Sequence, residues 1–393
     1  MCQLFLRYGN ENKYDFTGSR WRRQDDVGRD ACIIGEAVSD HPGKVIMQTR
    51  IACFNSSSKS IKLIFLFFII FPLAGCGLQK EIPLSGKTMG TTYHITVVAG
   101  YFFDPGNLKG KIDRRLEEIN QSMSTYRESS EISRFNNFPR TGEKFAVSDD
   151  FWQVMTVAKK IYELSEGAWD GTVKSLVYLW GFGGPTKYRV PEETEIQAQL
   201  AAVGFNQIEF SADRCLIKRK ASITLDLASI AKGYGVDQVA ALIRKSGIEN
   251  FLVEIGGEVF AAGFRKDGKP WQVGINRPRK DAAYDDVYKI INLHDKAFAT
   301  SGDYRNCFEL NGKRYSHILN PQTGYPVSNG VVSVSIVADT CTFADGLATA
   351  LMVLGPQKGL ELINRLDNVE RLIVVQQQNG TLTDYYSKGF VAE

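Results

Sequence analysis

One short stretch decides which part of this 393-residue chain can build a folded body. Residues 61–71 read Ile-Lys-Leu-Ile-Phe-Leu-Phe-Phe-Ile-Ile-Phe, with Lys59 and Lys62 at the front and Pro72-Leu73-Ala74-Gly75-Cys76 behind. About a dozen apolar residues are too few to cross a bilayer as a helix, which needs roughly 20. A basic flank, a short greasy run and small residues at its end form the pattern of a secretion signal. The competing reading is a buried strand or short core helix. The lysines before the run and the polar residues after Cys76 oppose it. The folded domain is therefore expected downstream.

Leu73-Ala74-Gly75-Cys76 resembles the lipobox of bacterial lipoproteins. That resemblance implies cleavage before Cys76 and acylation of its sulfur, each buried methylene adding roughly 0.8 kcal/mol to membrane binding. Residues 1–46 are long, polar and mixed in charge, unlike the start of a signal. They are expected to be a misassigned or disordered extension ahead of a true start at Met47. The expected organisation is extension 1–46, signal peptide 47–75, lipidated tether 76–86 and one catalytic domain 87–393. Cleavage would leave Cys76, Cys215, Cys307 and Cys341. The last three lack CxxC or zinc-type spacing, and their odd number argues against a disulfide framework.

The chain is 44% hydrophobic, ample for a core. Its net charge is only +3, with Lys and Arg scattered, so no basic stripe marks a nucleic-acid partner. Helical spacing occurs over 107–122 (Leu108, Ile112, Leu116, Ile119), 149–166, 192–203, 229–245 and 341–354, the last stopped by Gly355-Pro356, with another helix at 357–366. Strands are expected at the end of 87–98 and at 206–210, 215–218, 222–225, 250–255, 258–263, 271–275, 287–293, 307–310, 331–337, 370–376 and 381–386. Strands and helices mix without regular βαβ alternation, which points to a single α+β domain.

Four groups of residues could carry chemistry. In Thr342-Phe343-Ala344-Asp345-Gly346-Leu347-Ala348-Thr349, Asp345 and Thr349 stack one turn apart on one helix face. A carboxylate and a hydroxyl held so suit a hard cation such as Mg2+, though spacing alone favours a solvated or capping Asp with a packed Thr. In Thr224-Leu225-Asp226-Leu227-Ala228-Ser229-Ile230-Ala231-Lys232, a strand runs through small residues into a helix, leaving N–H groups free for an anion. Asp226 and Lys232 could then meet a ribose, base or phosphate, or be a cap and a surface Lys. The loops Ala299 to Arg305 and Tyr315 to Pro326 carry His317, a possible base or a structural hydrogen-bonding His. Tyr126, Trp169 and Trp180 offer flat rings for stacking, or core packing.

Together these segments resemble the FAD:protein FMN transferases, the ApbE family of flavin-inserting lipoproteins. The match runs in family order: Lys87-Thr88-Met89-Gly90-Thr91, Ser124-Thr125-Tyr126, Asp170-Gly171-Thr172-Val173, Leu179 to Gly183, Asp226 to Tyr234, Thr300 to Tyr304, Ser316 to Gly324 and Ala344 to Ala350. The resemblance implies an ApbE-like, T-fold-like α+β domain. It implies that Met89, Tyr126, Ala168, Trp169, Asp170, Asp226, Lys232 and Phe298 line the site for FAD, the substrate. Ser229, through its carbonyl, with Asp345 and Thr349 would ligate Mg2+. Asp345 and His317 are the candidate catalytic groups. The implied reaction moves FMN from FAD to a threonine hydroxyl of an acceptor protein and releases AMP. The implied acceptors are subunits of membrane redox complexes, met on the periplasmic face of the inner membrane. Two alternatives use the same residues: a Mg2+-dependent FAD pyrophosphatase, and a flavin-binding lipoprotein without catalysis.

Overall fold

The computed structural model describes residues 78–183, 188–283 and 286–392. The expected extension, signal peptide and Cys76 lie outside these residues. The strands are β1 (Gln79–Thr88), β2 (Thr91–Gly100), β3 (Lys144–Ala146), β4 (Ile208–Phe210), β5 (Cys215–Lys218), β6 (Asn250–Ile255), β7 (Glu258–Ala262), β8 (Trp271–Asn276), β9 (Val287–Leu293), β10 (Lys296–Gly302), β11 (Cys307–Leu310), β12 (Lys313–Ser316), β13 (Val331–Ala338), β14 (Glu370–Gln376) and β15 (Leu382–Tyr386). The helices are α1 (Leu108–Met123), α2 (Glu131–Asn136), α3 (Asp149–Leu164), α4 (Lys174–Leu179), α5 (Glu193–Leu200), α6 (Ala228–Lys245) and α7 (Cys341–Ile363).

Eight strands join in one antiparallel sheet, ordered β1-β2-β6-β7-β10-β13-β14-β15. Alternation along each strand sorts its residues onto two faces. One face carries Tyr93, Ile95, Phe251, Val253, Ala297, Ala299, Val334 and Ile373, and it is covered by α1, α3, α6 and α7. The other carries Leu252, Val259, Phe298, Leu372 and Val374, and the β8–β9 ribbon covers it with Trp271, Val273 and Ile291. Helix α7 breaks at Gly355, whose φ of 79° and ψ of 179° are not helical, just before Pro356. The expected stop there is met.

Three local expectations differ. Residues 79–86 of the expected tether are strand β1, paired along its whole length with β2. Their hydrophobicity is low, but a hairpin partner satisfies their backbone groups. Residues 222–225 form no strand. Asn136 bonds both Leu225 backbone groups instead, at 2.6 and 2.9 Å. Conversely, 299–302, expected as the start of a loop that runs to Arg305, belongs to the central strand β10 between β7 and β13.

The feature that positions the site is the crossing of α6 and α7. A Cβ at Gly233 would lie 2.3 Å from the Cys341 carbonyl oxygen and 2.9 Å from Asp345 Cβ. Only glycine lets the two helices approach so closely. The N-terminus of α7 is fixed by Asp237 of α6, which accepts the Cys341 and Thr342 N–H groups, both at 2.8 Å.

Candidate active site

The crossing opens onto a cavity of about 340 Å3. Its floor comes from α6, α7 and the β6–β7 turn, with Ser229, Lys232, Glu258, Asp345 and Thr349. One wall is the loop with Ala168 and Asp170, beside Asp226. The opposite wall leaves β10 and returns from β12, with Ser301, Arg305, Asn306 and His317. Tyr126 stands on the rim, 87% exposed.

The floor holds a charged triad. Lys232 Nζ donates to Glu258 Oε1 at 2.9 Å and lies 3.6 Å from Asp345 Oδ2. The Gly233 N–H, whose helical acceptor would be the Ser229 carbonyl, donates to the same Oδ2 at 3.0 Å. Glu258 and Asp345 are both buried, and burial pushes both carboxyls above their usual range. Burial works against the Lys232 charge, yet the two carboxylates hold it raised. Fully ionised, the triad alone would carry two negative charges and one positive. Glu258 Oε2 is buried without a hydrogen-bond partner among the described residues. One turn along α7, Thr349 Oγ1 lies 3.0 Å from Ser301 Oγ.

These donors fit a hard divalent cation. Asp345 Oδ1, the Thr349 hydroxyl and the Ser229 carbonyl are hard oxygen ligands of the kind such a cation prefers. Among the described residues no group of three or more His, Cys, Asp and Glu side chains is placed to hold a metal. Hydroxyl and carbonyl oxygens would have to complete the shell.

The wall is built differently. Asp170 is buried, and burial pushes its carboxyl up. Its Oδ1 accepts from Thr172 N and Oγ1 at 2.7 and 2.5 Å, and its Oδ2 accepts from Phe205 N at 2.9 Å. Trp169 is turned into the core edge-on to Phe205, and its Nε1 donates to Ser229 Oγ at 3.0 Å. Asp226 is half-buried, and burial pushes it up as well. Its N–H donates to the Gly171 carbonyl at 2.7 Å, and its Oδ1 caps the Ala228 N–H at 2.9 Å. Asp226 thus joins the wall to the start of α6.

His317 supplies a neutral base. Its Nδ1 lies 3.0 Å from the Asn306 carbonyl, which can only accept, so Nδ1 carries the proton. Burial pulls the imidazole down to about 4. At neutral pH the Nε2 lone pair is therefore available in the cavity wall.

Of the residues expected to share a site, Tyr126, Ala168, Asp170, Asp226, Ser229, Lys232, His317, Asp345 and Thr349 all meet around this cavity. Phe298 does not. In β10 it points to the ribbon side of the sheet among Val259 and Trp271, because its neighbours Ala297 and Ala299 take the helix side. Trp169 holds Ser229 from behind rather than offering a stacking face. Trp180 is core, bonded through Nε1 to the Gly324 carbonyl at 2.9 Å. Met89 packs behind α6 at the β1–β2 turn, where Met89 and Gly90 both have positive φ, 48° and 70°. A non-glycine residue held there is strained, a condition that clusters near functional sites. Glu258 was not anticipated. Its signal was a lone acid opening Glu-Val-Phe-Ala-Ala, a strand buried at every position.

A family model described as the ApbE family matches residues 89–373. A FAD:protein FMN transferase of Vibrio cholerae is 44% identical over 325 residues, covering 81% of this chain and 94% of that protein. The FAD:protein FMN transferase of Escherichia coli K12 is 36% identical, covering 76% and 87%. Among solved structures, the flavin transferase ApbE from Vibrio cholerae superposes with a TM-score of 0.73 at 42% identity, covering 80% of this chain and 99% of that one. The apo flavinyl transferase ApbE of Pseudomonas stutzeri gives a TM-score of 0.71 at 36% identity, covering 79% and 96%.

Proposed function

The chain belongs to the ApbE family, and from that premise we propose that it is a FAD:protein FMN transferase, moving FMN from FAD to a threonine hydroxyl of an acceptor protein. The observation that carries this reading is the pairing, across one cavity, of an acidic floor with a neutral imidazole whose Nε2 is free. Transfer needs groups to hold a pyrophosphate and a base for the incoming hydroxyl, and the floor and the wall with His317 offer one each.

The acceptor oxygen attacks the FMN phosphorus, the bond from that phosphorus to the AMP oxygen breaks, and AMP leaves. His317 Nε2 takes the hydroxyl proton as the new bond forms. Lys232, on the floor, would meet the phosphates, whereas the first N–H of α6 is already taken by Asp226 Oδ1. Asp226 is placed to hold the nucleotide between the wall and that helix. Trp169 and Gly233 act indirectly, fixing Ser229 and Asp345. A Mg2+ ion held by Asp345, Thr349 and the Ser229 carbonyl would offset charge on the pyrophosphate oxygens. Little covalent chemistry is asked of the protein, as in other phosphoryl transfers, so positioning dominates.

The test is incubation with FAD, Mg2+ and an acceptor domain, read by covalent flavin fluorescence on the acceptor. Bound flavin on the acceptor supports transfer. Free FMN with an unlabelled acceptor would identify a pyrophosphatase, and intact FAD a binding protein.

The working enzyme is placed on the periplasmic face of a bacterial inner membrane, lipid-anchored at Cys76, with acceptor subunits of membrane redox complexes as partners. The anchor rests on the basic flank, the greasy run and Leu73-Ala74-Gly75-Cys76, whereas the inner-membrane face and the acceptor subunits rest on the family resemblance alone. Mass spectrometry of the mature N-terminus tests it. An unmodified Cys76, or a chain that keeps residues 47–75, would refute the anchor.

A further inference from the structure

The first described residue, Leu78, lies only two residues after Cys76. Two residues reach at most about 7 Å. From Gln79 the chain is already strand β1, locked to β2 by pairs from Gln79↔Gly100 to Thr88↔Thr91. If Cys76 is acylated, no flexible tether lifts the fold away. The open end of the β1–β2 hairpin is held against the lipid.

That end is equipped for lipid. Phe102 is 95% exposed, Leu78 75% and Tyr101 57%. The Tyr101 N–H donates to the Leu78 carbonyl at 2.6 Å, so the loop and the emerging chain form one unit. The two rings meet edge to face at 5.5 Å. Lys80 Nζ lies 6.0 Å from the Tyr101 ring centre, a cation beside an amphipathic ring. Exposed aromatic rings with a nearby lysine are the composition of a membrane–water interface.

The other end of the hairpin reaches the site. Gly256, on the cavity floor, has Thr91 Cγ2 and Lys232 Cδ within 2.8 and 3.4 Å of where its Cβ would be. Ten strand residues at about 3.3 Å each give a rod of about 30 Å between the two ends.

We propose that Leu78, Tyr101 and Phe102 seat the hairpin end in the lipid interface beside the acylated Cys76, and that β1–β2 acts as a fixed spacer holding the flavin-transfer cavity above the membrane. The spacer sets the height at which a membrane-bound acceptor is modified. This inference rests on the lipid-anchor reading of Cys76.

The test uses the full chain, produced in bacteria and reconstituted in vesicles of phosphatidylethanolamine and phosphatidylglycerol. A Phe102→Trp variant is compared with the unsubstituted protein for quenching by brominated lipids. Extra quenching in Phe102→Trp, with a ring depth of about 5–10 Å, is expected. A second variant, Tyr101→Asp with Phe102→Asp, should still float with the vesicles through its lipid. It should flavinylate a detached, soluble acceptor domain at the normal rate, yet modify a membrane-embedded acceptor several-fold more slowly. An acylated, floating protein whose Phe102→Trp emission is unquenched would overturn the seat and leave the anchor intact. A chain that carries no acyl group and does not float would overturn the anchor, and the seat with it. Equal loss on soluble and embedded acceptors would show that the rings contact the acceptor protein instead of lipid.

Discussion

Asp170 on the wall and Asp345 on the floor are both buried acids beside one cavity, and burial raises both. They differ in what satisfies them. Asp170 spends both oxygens on three donors of its own loop and of Phe205. Asp345 receives its bonds on Oδ2 alone, from Gly233 N and beside Lys232, and neighbours the unpartnered Glu258 Oε2. A carboxylate saturated by backbone N–H groups is a structural pin. One that remains short of partners is poised for a ligand. Burial by itself does not separate the two roles; hydrogen-bond satisfaction does.

The contrast can be broken most sharply at the floor. Asp345→Ala should cut FMN transfer on the order of a thousandfold, the loss seen when a preorganised charge stabiliser is removed. Its melting temperature should stay close to that of the unsubstituted protein, because Lys232 keeps Glu258. Full flavinylation of an acceptor by Asp345→Ala would end the assignment.

The opposite wall gives the next largest effect. His317→Gln should slow transfer about a hundredfold, within the range of a lost general base. In the unsubstituted protein the base form persists until pH falls through about 4, not through the 6.5 of free imidazole. The acid limb of kcat/KM should therefore lie near pH 4 and vanish in His317→Gln. A limb near 6.5 would show that His317 is not held neutral by burial.

Asp170→Ala tests the pin. It leaves the Phe205 and Thr172 N–H groups buried without acceptors, a loss of about 3 kcal/mol at roughly 1–3 kcal/mol per orphaned group. Chemical denaturation should report this loss. Transfer by the fraction that remains folded should fall far less than in Asp345→Ala. A stable but inactive Asp170→Ala would reverse the roles assigned to wall and floor. The smallest effect is expected of Trp169→Phe, which keeps the packing against Phe205 and removes one bond to Ser229 Oγ. About 1 kcal/mol, or several-fold in rate, is the scale of one such bond. The change should appear as a higher Mg2+ concentration for half-maximal transfer rate.

Much of this was legible before the fold was known. Helical spacing placed α1 and α6 within one residue at each end, and Gly355-Pro356 marked the break in α7. Asp345 and Thr349, four residues apart on one helix, had to share a face, and they do border one cavity. Phe298 and Trp169 were harder. An aromatic residue reads the same whether it stacks on a ligand or fills a core. Only the side of β10 taken by Ala297 and Ala299 sends Phe298 to the ribbon, and only Ser229 gives Trp169 its bond. The tether expected at 76–86 was misread because β1 is an edge strand, half-exposed along its length, whose regularity comes from its partner.

By itself the sequence determined the mixed sheet-and-helix class, the chain order of the motifs and the faces that each helix buries, since periodicity is read by backbone within a few residues. Tertiary structure alone decided the charges of the site. Lys232 meets Glu258 across 26 residues, and Gly233 meets Asp345 across 112. The field each group feels, and so its protonation and its capacity to bind, comes from neighbours that only the crossing of α6 and α7 brings within a few ångströms.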